Sequence, residues 1–277
     1  MTQTPRSAPV VVISGAGAGL GAAMAQAFAD DGYRVVVTDQ HAERAEAVAG
    51  ALSGEGHWAC GLDVTDSEQW AALDSAVGER YGRIDVLINN AGVATGGMLG
   101  ETPLDDWQWV LDIDLMGVVR GCHQFVGRFR SQGYGHIVNV ASFAGLAGAP
   151  AIASYGTAKA GVVALSEMLR AELAPAGVEV SVLCPAFVKT QLTETMRAPD
   201  DDYARRVQRW MAKSGVSAAD VAAIVLGAVK RPKFMLLTHR DTRWMHRLKR
   251  FFPELYFRVL MKQARKMMPK NGAGAKR

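Results

Sequence analysis

Tyr155 and Lys159 are the two side chains with the clearest capacity for chemistry in this chain of 277 residues. Four positions apart on a predicted helix, they share one face and lie about one turn from each other. A free tyrosine titrates near pH ~10 and is a poor base at neutral pH. Lowering its pKa by about 2.5 units takes roughly 3.4 kcal/mol. One ammonium about 4 Å away supplies roughly 4 kcal/mol at an effective dielectric constant near 20.

The Tyr155/Lys159 spacing therefore permits an acid–base tyrosine, although surface Tyr/Lys pairs have the same pattern. Ser142 lies thirteen residues before Tyr155, at the end of a predicted strand. With a hydroxyl at that place, we favour the chemical interpretation over the surface pair.

A glycine-rich turn, Ser14-Gly15-Ala16-Gly17-Ala18-Gly19-Leu20-Gly21, follows the first apolar run of the chain. Glycine can adopt a positive φ and lets the backbone approach a ligand closely. The helix predicted after the turn offers free N–H groups and a partial positive charge, which suit a pyrophosphate. Because a strand precedes the turn and a helix follows it, the pattern predicts a dinucleotide site rather than a plain turn.

Asp39 ends the second predicted strand, 24 residues after Gly15. A carboxylate there can accept hydrogen bonds from the adenosine ribose hydroxyls, and it repels a 2′-phosphate. We therefore expect NAD as the cofactor in preference to NADP. Arg44, further along the next helix, is the residue that would weaken this preference, and a solvated strand-end aspartate is the alternative interpretation.

Seven predicted strands alternate with helices and would position these residues. The strands are expected near 10–13, 35–37, 58–62, 86–88, 137–140, 178–183 and 234–237, and the helices over 20–30, 42–52, 66–81, 104–129 (as one or two), 155–174 and 217–229. Apolar strands that alternate with helices indicate a parallel sheet covered on both faces. We predict an α/β fold with one doubly wound domain over residues 1–240 and a basic extension over 241–277.

The order and spacing of several motifs resemble the short-chain dehydrogenase/reductase family. The matching residues are Gly15-x3-Gly19-x-Gly21, Asp63-Val64, Asn89-Asn90-Ala91-Gly92, Ser142, Tyr155-x3-Lys159, and Pro185 with Thr190. Each motif alone is weak evidence, but the ordered set over residues 10–190 is highly specific. The resemblance implies a Rossmann-type sheet of about seven parallel strands and a nicotinamide-dependent oxidoreductase.

The resemblance also implies catalytic roles. Tyr155 is expected to be the general acid/base on the substrate oxygen, and Ser142 to hydrogen-bond the same oxygen. Lys159 is expected to lower the pKa of the tyrosine and to bind the nicotinamide ribose.

The cofactor-binding residues implied by the resemblance and the turn are Ser14, Gly15, Gly19, Leu20, Asp39, Asp63, Val64, Asn90, Tyr155, Lys159, Val188 and Thr190. Asp63 and Val64 would border the adenine, and Asn90 the adenosine. Val188 and Thr190 would hold the carboxamide region.

Two positions depart from the family's usual pattern. Asp114 replaces an asparagine that holds a water in a proton relay to the lysine. We count Asp114 among the candidate catalytic residues because a carboxylate can accept from that water, although it cannot donate unless protonated. It would also raise the pKa of Lys159 if the two are close; a structural aspartate bonded to backbone N–H groups is the alternative. Ala186 replaces the glycine that usually follows Pro185, so the backbone near the nicotinamide is expected to differ slightly.

The predicted substrate region is apolar. The resemblance assigns to it Phe143, Leu146, Ala147, Ala149, Pro150, Met98, Phe187, Leu192, Met196, Trp210 and Met211. Residues 143–154 contain no arginine or lysine that would bind a carboxylate. We expect a hydrophobic secondary alcohol or ketone. Steroid-like, retinoid-like, aryl and acyl-chain substrates remain open, and packing in the core is the alternative for some of these side chains.

The amino-acid composition and the cysteine spacing indicate the cellular compartment of the protein. Hydrophobic residues make up 49% of the chain and charged residues 21%, as in a soluble globular protein. Cys60, Cys122 and Cys184 lie far apart with no CxxC, so no metal site is predicted and a reducing compartment is favoured. No apolar run approaches the roughly 18 residues of a transmembrane helix. We expect a cytoplasmic protein that forms a homodimer or homotetramer.

The charge is unevenly distributed. Residues 1–229 hold 16 basic and 25 acidic side chains, whereas residues 230–277 hold 15 and 2. Pro253 is placed to begin a helix. On that helix a basic cluster spans about 100°, and apolar side chains face the other way. The basic residues are Arg258, Lys262, Arg265 and Lys266, and the apolar ones Tyr256, Val259, Leu260, Ala264 and Met267.

Such a helix could lie on an anionic membrane surface, at the periphery of the membrane. It could equally cover a subunit interface or the mouth of the pocket, which we favour slightly because the apolar part is wide. Nucleic-acid binding is disfavoured, because the apolar face would have no partner.

The residues together predict an NAD(P)-dependent oxidoreductase that transfers a hydride between the cofactor and a hydrophobic secondary alcohol or ketone. One alternative is a 3-oxoacyl-type reductase that uses NADPH. Another is a non-catalytic dinucleotide-binding sensor, since a fold can be kept without turnover. The intact Ser142, Tyr155 and Lys159 argue against the sensor.

Overall fold

Seven short strands form a single parallel sheet in the order β3-β2-β1-β4-β5-β6-β7. The computed structural model describes residues 8–267, without the side chains at 191, 201, 202 and 265–267. The strands are β1 (Val10–Ile13), β2 (Arg34–Asp39), β3 (Trp58–Gly61), β4 (Val86–Asn89), β5 (Gly135–Val140), β6 (Val178–Cys184) and β7 (Met235–Leu237). The predicted doubly wound α/β fold is confirmed.

The helices are α1 (Gly19–Asp30), α2 (Ala42–Ala51), α3 (Ser67–Tyr81), α4 (Leu104–Leu111), α5 (Gly117–Gln132), α6 (Ala144–Ala147), α7 (Ala153–Leu173), α8 (Asp201–Ala212), α9 (Ala218–Lys230), α10 (Arg240–Phe251) and α11 (Pro253–Met267). A π-helical turn, Asp112–Met116, joins α4 to α5. Ser217 and Asp220 form a capping box that begins α9, and Pro253 begins α11 as predicted. Helices α8 and α10 were not expected from the sequence.

Alternation along the strands divides the apolar residues between the two faces of the sheet. Val10 and Val12 pack into the core that contains Trp70, whereas Val11 and Ile13 pack into the core on the other face. Each fully buried side chain of this kind contributes about 1.5–3 kcal/mol relative to its exposed state. The two cores hold the sheet between its two layers of helices.

The carboxyl ends of β1, β4 and β5 meet at one edge of the sheet. Ile13 is in register with Ile88, and Asn89 with Asn139. The Asn89 side chain donates to Asn139 Oδ1 at 2.9 Å, and the Asn139 side chain donates to Ser166 Oγ on α7 at 3.0 Å. This buried network ties α7 to the strand ends. The order of the sheet reverses between β1 and β4, where ligands of such sheets bind.

The chain continues past β7 into the helical pair α10 and α11. In the part of the chain that the structure describes, no helix is long and apolar enough to cross a membrane. Residues 268–277 of the predicted extension lie outside the described residues.

Candidate active site

The glycine-rich turn forms a close-fitting cradle between β1 and α1. Gly15 and Gly19 have φ angles of 61° and 56°, which favour glycine. A Cβ at Gly17 would lie 2.8 Å from the Asp39 carboxylate. The N-cap of α1, Ala18, offers no side-chain hydrogen bond, so the N–H groups at Gly19 and beyond keep their capacity to bind an anion.

Ser14 and Asn90 fix the shape of this turn from behind. Ser14 Oγ accepts from the N–H groups of Asn90 and Ala91, at 3.0 and 3.1 Å. The Asn90 side-chain amide donates to the carbonyls of Ser14 and Gly15, at 2.9 and 3.0 Å. Both polar side chains are thus engaged within the protein, and they position the turn.

Asp39 and Arg44 flank the outer side of the turn. Asp39 Oδ2 accepts from the Gly17 N–H at 3.1 Å, and Asp39 Oδ1 from the His41 N–H at 3.1 Å. A Cβ at Gly17 would also lie 2.7 Å from Cβ of Arg44, in the first turn of α2. An acidic and a basic side chain therefore border the same backbone, so the choice between a ribose hydroxyl and a phosphate depends on both.

Asp63 and Val64 follow β3, beside the same edge of the sheet. Asp63 is exposed, and Oδ1 accepts from the N–H and the hydroxyl of Thr65 at 2.9 and 2.8 Å. Val64 is buried, and its side chain packs against Gly117. The Asp63 carboxylate stabilises its own turn, and Val64 supplies an apolar wall.

Ser142, Tyr155 and Lys159 come together where β5, α6 and α7 meet. The Lys159 ammonium lies 5.9 Å from the centre of the Tyr155 ring. Ser142 Oγ accepts from the Ala144 N–H at 3.1 Å and donates to the Pro185 carbonyl at 3.5 Å, and its hydroxyl acts to lower the pKa of Tyr155. A Cβ at Gly145 would lie 2.6 Å from the Lys159 carbonyl carbon. This close approach of α6 to α7 holds Ser142 beside the tyrosine.

Lys159 is fully enclosed and paired with Asp114. The two side chains are 4% and 0% exposed, and Nζ lies 3.2 Å from Oδ2. Lys159 also donates to the Val140 carbonyl at 3.1 Å, while Asp114 Oδ1 accepts from the Val93 N–H at 2.7 Å. Asp114 therefore accepts from a backbone N–H and lies beside the lysine, while its role in a water relay stays a prediction. The π-helical turn that carries it is a feature often found at functional sites.

Burial and mutual charge shift the pKa values of this group. Burial lowers the pKa of Lys159, but the Asp114 carboxylate and Tyr155 outweigh it, with a smaller contribution from Cys184, so the pKa is raised. Burial raises the pKa of Asp114 despite the lysine. Burial also raises the pKa of Tyr155 more than Lys159 and Ser142 lower it, and Asp114 adds to the increase. Lys159 acts in the predicted direction, but the predicted net lowering of the Tyr155 pKa is wrong, because one paired ammonium does not offset burial.

Helix α8 contacts the segment that leads into α7, four residues before Tyr155. Its Tyr203 donates to the Ala151 carbonyl at 2.7 Å, and the Gly97 N–H donates to the same oxygen at 2.8 Å. Ala151 has a φ of 62°, a region that costs a non-glycine residue free energy. Sequence analysis missed Tyr203. The one sequence feature that could have revealed its helix is Asp200, whose side chain accepts from the Tyr203 N–H at 2.6 Å.

The predicted substrate residues differ in burial, and some of them contact one another. Phe187 and Trp210 are in contact, with ring centres 5.8 Å apart, and Met196 packs with Tyr203 against Gly96. The buried members are Phe143, Ala147, Met211 and the carboxamide candidate Val188, whereas Met98 and Phe187 are exposed and Thr190, Leu146, Ala149, Pro150, Leu192 and Trp210 are partly buried. An apolar wall thus exists between α8 and the segment after β6.

The C-terminal helices rest on the segment that follows Ser142. Tyr256 donates to the Ala147 carbonyl at 2.7 Å, and Lys249 donates to the Leu146 carbonyl. Tyr256, Leu260 and Ala264 are buried, as their common face predicted, whereas Phe257 is exposed. The packed face of α11 therefore supports α6, at the edge of the candidate site. Among the described residues, no group of three His, Cys, Asp or Glu side chains could hold a metal ion.

The fold and this arrangement define the class of protein. The family model described as short chain dehydrogenase matches residues 9–201, which include the glycine turn, Ser142, Tyr155 and Lys159. The chain belongs to the short-chain dehydrogenase/reductase family, as its motifs indicated.

Individual relatives agree with this assignment. The chain is 37% identical over 196 residues to the trans-4-hydroxycyclohexanecarboxylate dehydrogenase of Sinomonas cyclohexanicum, covering 68% of this chain and 75% of that protein. It is 34% identical over 235 residues to the "Probable oxidoreductase EphD" of Mycobacterium tuberculosis, covering 81% of this chain but only 40% of that longer protein. A crystal structure of a family member from Burkholderia phymatum in complex with NAD superposes with a TM-score of 0.84 and 34% identity, over 90% of this chain and 95% of that chain.

Proposed function

We propose that this protein is an NAD-dependent oxidoreductase of hydrophobic secondary alcohols or ketones, with Tyr155 as the general acid and base. The observation that carries the proposal is the meeting of Ser142, Tyr155 and Lys159 on the same sheet edge as the glycine turn. A tyrosine with a hydroxyl and a buried ammonium beside it suits proton transfer to a substrate oxygen.

The residues of the turn fit a dinucleotide. The Gly17 backbone leaves no room for a side chain beside Asp39, and the first N–H groups of α1 suit a pyrophosphate. We propose that Ser14, Gly15, Gly19 and Leu20 line the pyrophosphate and that Asp39 binds the adenosine ribose. The proposed neighbours of the other parts are Asp63, Val64 and Asn90 for the adenosine, and Tyr155, Lys159, Val188 and Thr190 for the nicotinamide side. The bound nicotinamide supplies or accepts the hydride.

Side chains of the protein transfer the proton to and from the substrate oxygen. In ketone reduction the Tyr155 phenol would give its proton to the carbonyl oxygen of the substrate, and in alcohol oxidation the phenolate would take the proton of the substrate hydroxyl. Ser142 donates a hydrogen bond to the same oxygen. The Lys159 ammonium stabilises the phenolate, while Asp114 and the Val140 carbonyl hold the ammonium in place.

The pH dependence follows from the raised pKa of Tyr155. Oxidation requires the phenolate, so its rate rises with pH until the phenol has ionised. Reduction requires the phenol and persists at neutral pH. We therefore expect faster alcohol oxidation under alkaline conditions.

The proposed substrate is a cyclic or otherwise bulky apolar secondary alcohol, or the matching ketone. Phe187, Trp210 and Met196 supply an apolar wall beside the site. The name of the Sinomonas relative describes a ring-borne secondary alcohol that also carries a carboxylate, so it supports the secondary alcohol and the ring but not the apolar character of the substrate.

Replacement of Tyr155 by phenylalanine tests the proposal. Tyr155→Phe should lower kcat by about 10²–10⁴-fold and leave NAD affinity nearly unchanged, since the ring still packs. Tyr81→Phe is the matched control, because that hydroxyl donates to the Gly56 carbonyl away from the site. Activity of Tyr155→Phe within tenfold of the wild type would contradict the assignment. Cofactor binding without turnover of any alcohol or ketone would favour the alternative of a non-catalytic dinucleotide-binding sensor.

Two variants test the choice of cofactor. Asp39→Ala should reduce the preference for NAD over NADP by roughly tenfold or more, since hydrogen bonds to a charged group contribute about 1.5–3 kcal/mol. Arg44→Ala should act in the opposite sense by weakening NADP. Titration of each variant with both cofactors measures the ratio. A wild-type protein that prefers NADP would favour the alternative of a 3-oxoacyl-type reductase that uses NADPH. That reductase is a second candidate because Arg44 lies beside the glycine turn.

We also propose a cytoplasmic homodimer or homotetramer in which residues 1–240 form the catalytic unit and residues 241–277 an extension. Cys60, Cys122 and Cys184 are free thiols, which suits a reducing compartment. Leu104, Met116 and Met168 are exposed apolar side chains outside the extension, and they support an interface between copies. Molar mass from light scattering tests the assembly.

A further inference from the structure

The helical pair α10 and α11 has two faces with opposite surroundings. Its inner face is buried within the chain through Thr242, Tyr256, Leu260 and Ala264. Its outer face is exposed, although it carries some of the largest apolar side chains of the protein. Tertiary packing therefore accounts for the inner face and leaves the outer face to be explained.

The outer face concentrates exposed aromatic rings. Of the twelve exposed large hydrophobic side chains among the described residues, five lie between positions 244 and 257, so this short segment holds a disproportionate share. They are Trp244, Phe251, Phe252, Leu255 and Phe257, exposed by 57%, 68%, 62%, 49% and 55%. A concentration of this kind marks an interaction site.

Basic side chains alternate with these rings. Arg240, Trp244, Arg247 and Phe251 are three or four residues apart along α10 and are all exposed, so they form one stripe. Phe251 and Phe252 then project at the elbow where α10 meets α11. The stripe offers a cation and an aromatic ring in turn along the whole helix.

Among the described residues, the basic side chains of the helical pair have no counter-ion, although Arg243 and Lys249 donate to the carbonyls of Leu237 and Leu146. Residues 240–264 contain seven basic side chains against Asp241 and Glu254. Within the part of the chain that the structure describes, none of the seven forms an ion pair. They are Arg240, Arg243, Arg247, Lys249, Arg250, Arg258 and Lys262. Since residues 1–229 are acidic overall, an anionic surface would attract this face and repel the rest of the molecule.

An anionic lipid surface fits both features. Lipid phosphates would pair with the arginines, and the rings would enter the headgroup layer, where aromatic side chains are favoured. A second copy docked by the same face would bring the seven cations against one another. Nucleic acid would pair with the cations but would leave Leu255 and the two phenylalanines at the elbow largely without an apolar environment.

We propose that the outer face of α10 and α11 docks this protein on an anionic membrane surface, with Phe251 and Phe252 entering the headgroup layer. The docking does not depend on the reaction, and its test needs no turnover. The inner face keeps the helices attached to α6, so the candidate site lies next to the docked surface.

Co-sedimentation of the full chain with vesicles tests this docking. The protein should bind vesicles of phosphatidylcholine mixed with phosphatidylserine and bind phosphatidylcholine alone much more weakly. Binding should weaken as salt is added, because the attraction of surface charges is screened. Absence of binding to the anionic vesicles would overturn the proposal.

Two variants and matched controls locate the surface. Phe251→Ser/Phe252→Ser should weaken vesicle binding by about tenfold or more, and Arg240→Gln/Arg247→Gln by roughly tenfold. Leu99→Ser and Arg130→Gln/Lys213→Gln alter exposed apolar and basic side chains elsewhere and should bind as the wild type does. All these positions are exposed, and equal thermal melting of the variants checks that they are folded.

Each remaining result counts against membrane docking. Equal loss in the variants and their controls would mean that the attraction is not confined to this face. Binding of DNA in place of vesicles would assign the face to nucleic acid. A lower molar mass in Phe251→Ser/Phe252→Ser, without vesicle binding by the wild type, would assign it to a second copy of the chain.

Discussion

Lys159 and Arg247 are both cations on helices, and their surroundings differ in nearly every respect. Lys159 is enclosed, lies 3.2 Å from Asp114 and donates to the Val140 carbonyl. Arg247 is exposed on the outer face of α10. A buried charge is costly unless it is paired, so the protein surrounds Lys159 with fixed partners. The exposed arginine stays hydrated, and it can meet an anion from outside the molecule.

The two cations carry the same charge, but one suits a fixed position inside the protein and the other suits attraction to an outside anion. The hydrogen-bond partners of Lys159 hold its ammonium in one place, and proton transfer requires such a fixed geometry. The cations of the outer face need no fixed position, because attraction to a charged surface depends on their number and sign. The first arrangement is sensitive to single substitutions, and the second only to several together.

The largest expected effect comes from removing the buried charge. Lys159→Met leaves the Asp114 carboxyl buried without its partner and should lower the free energy of unfolding by about 3–5 kcal/mol. Arg247→Met should change it by no more than about 0.5 kcal/mol. Urea denaturation measures both. Equal losses of stability in the two variants would contradict the difference between the buried and the exposed cation. Partial recovery of stability in Lys159→Met/Asp114→Leu would assign the loss to the unpaired carboxyl.

A second effect concerns a buried histidine outside the site. Ser181 Oγ donates to the Lys233 carbonyl at 2.7 Å, so it accepts from His136 Nε2 at 2.8 Å. Burial lowers the pKa of His136 from 6.5 to about 4. Between these pH values the unfolded chain binds the proton and the folded one does not, so stability is present above pH 6.5 and is lost as the pH falls.

This histidine should lower the free energy of unfolding by about 3 kcal/mol between pH 6.5 and 4. His136→Gln should show a shallower decline over that range, measured by urea denaturation at several pH values. His123→Gln removes an exposed histidine and should keep the wild-type pH dependence. The same slope in all three proteins would show that His136 titrates alike in both states.

The smallest effect should follow from Asp114→Asn. The amide oxygen can accept from the Val93 N–H or face the Lys159 ammonium, but not both. The lysine then keeps the Val140 carbonyl as its fixed partner, and the negative charge that raises the pKa of Tyr155 is gone. The pH profile of alcohol oxidation should move to lower pH, with activity kept or raised. Asp112→Asn, which removes a half-exposed carboxylate paired with Arg120, is the matched control and should leave the profile in place. A large loss of activity with an intact fold would show that the carboxylate itself is needed.

The sequence predicted the sheet and the motif residues because both depend on local patterns. A run such as Val10–Ile13 is apolar at every position, and the helical spacing of Tyr155 and Lys159 is visible without a partner. Helices α8 and α10 escaped prediction because charged residues dominate them. The pattern Asp201–Ala212 becomes a helix with the help of the Asp200 cap and the contact of Tyr203 with Ala151.

Contacts to backbone were beyond the reach of the sequence for another reason. Lys159, Tyr203 and Tyr256 all donate to carbonyl oxygens, and every residue of the chain carries a carbonyl. The side chain identifies the donor, but only the folded chain identifies the acceptor. The wide apolar part of the predicted α11 was similarly ambiguous, since spacing alone could not show that Tyr256 packs inward while Phe257 stays exposed.

The hydrogen bonds that fasten α6 have a consequence for the order of events during synthesis. They join residues 103 and 109 positions apart, and chains emerge from the ribosome with the N-terminus first. Ser142 and Tyr155 have therefore left the ribosome well before Lys249 and Tyr256 exist. Contacts between such distant positions also form late, because a long loop must first close. The segment beside the candidate site is thus secured by helices that are made after it, and a nascent chain that stops before residue 249 lacks both hydrogen bonds that hold α6.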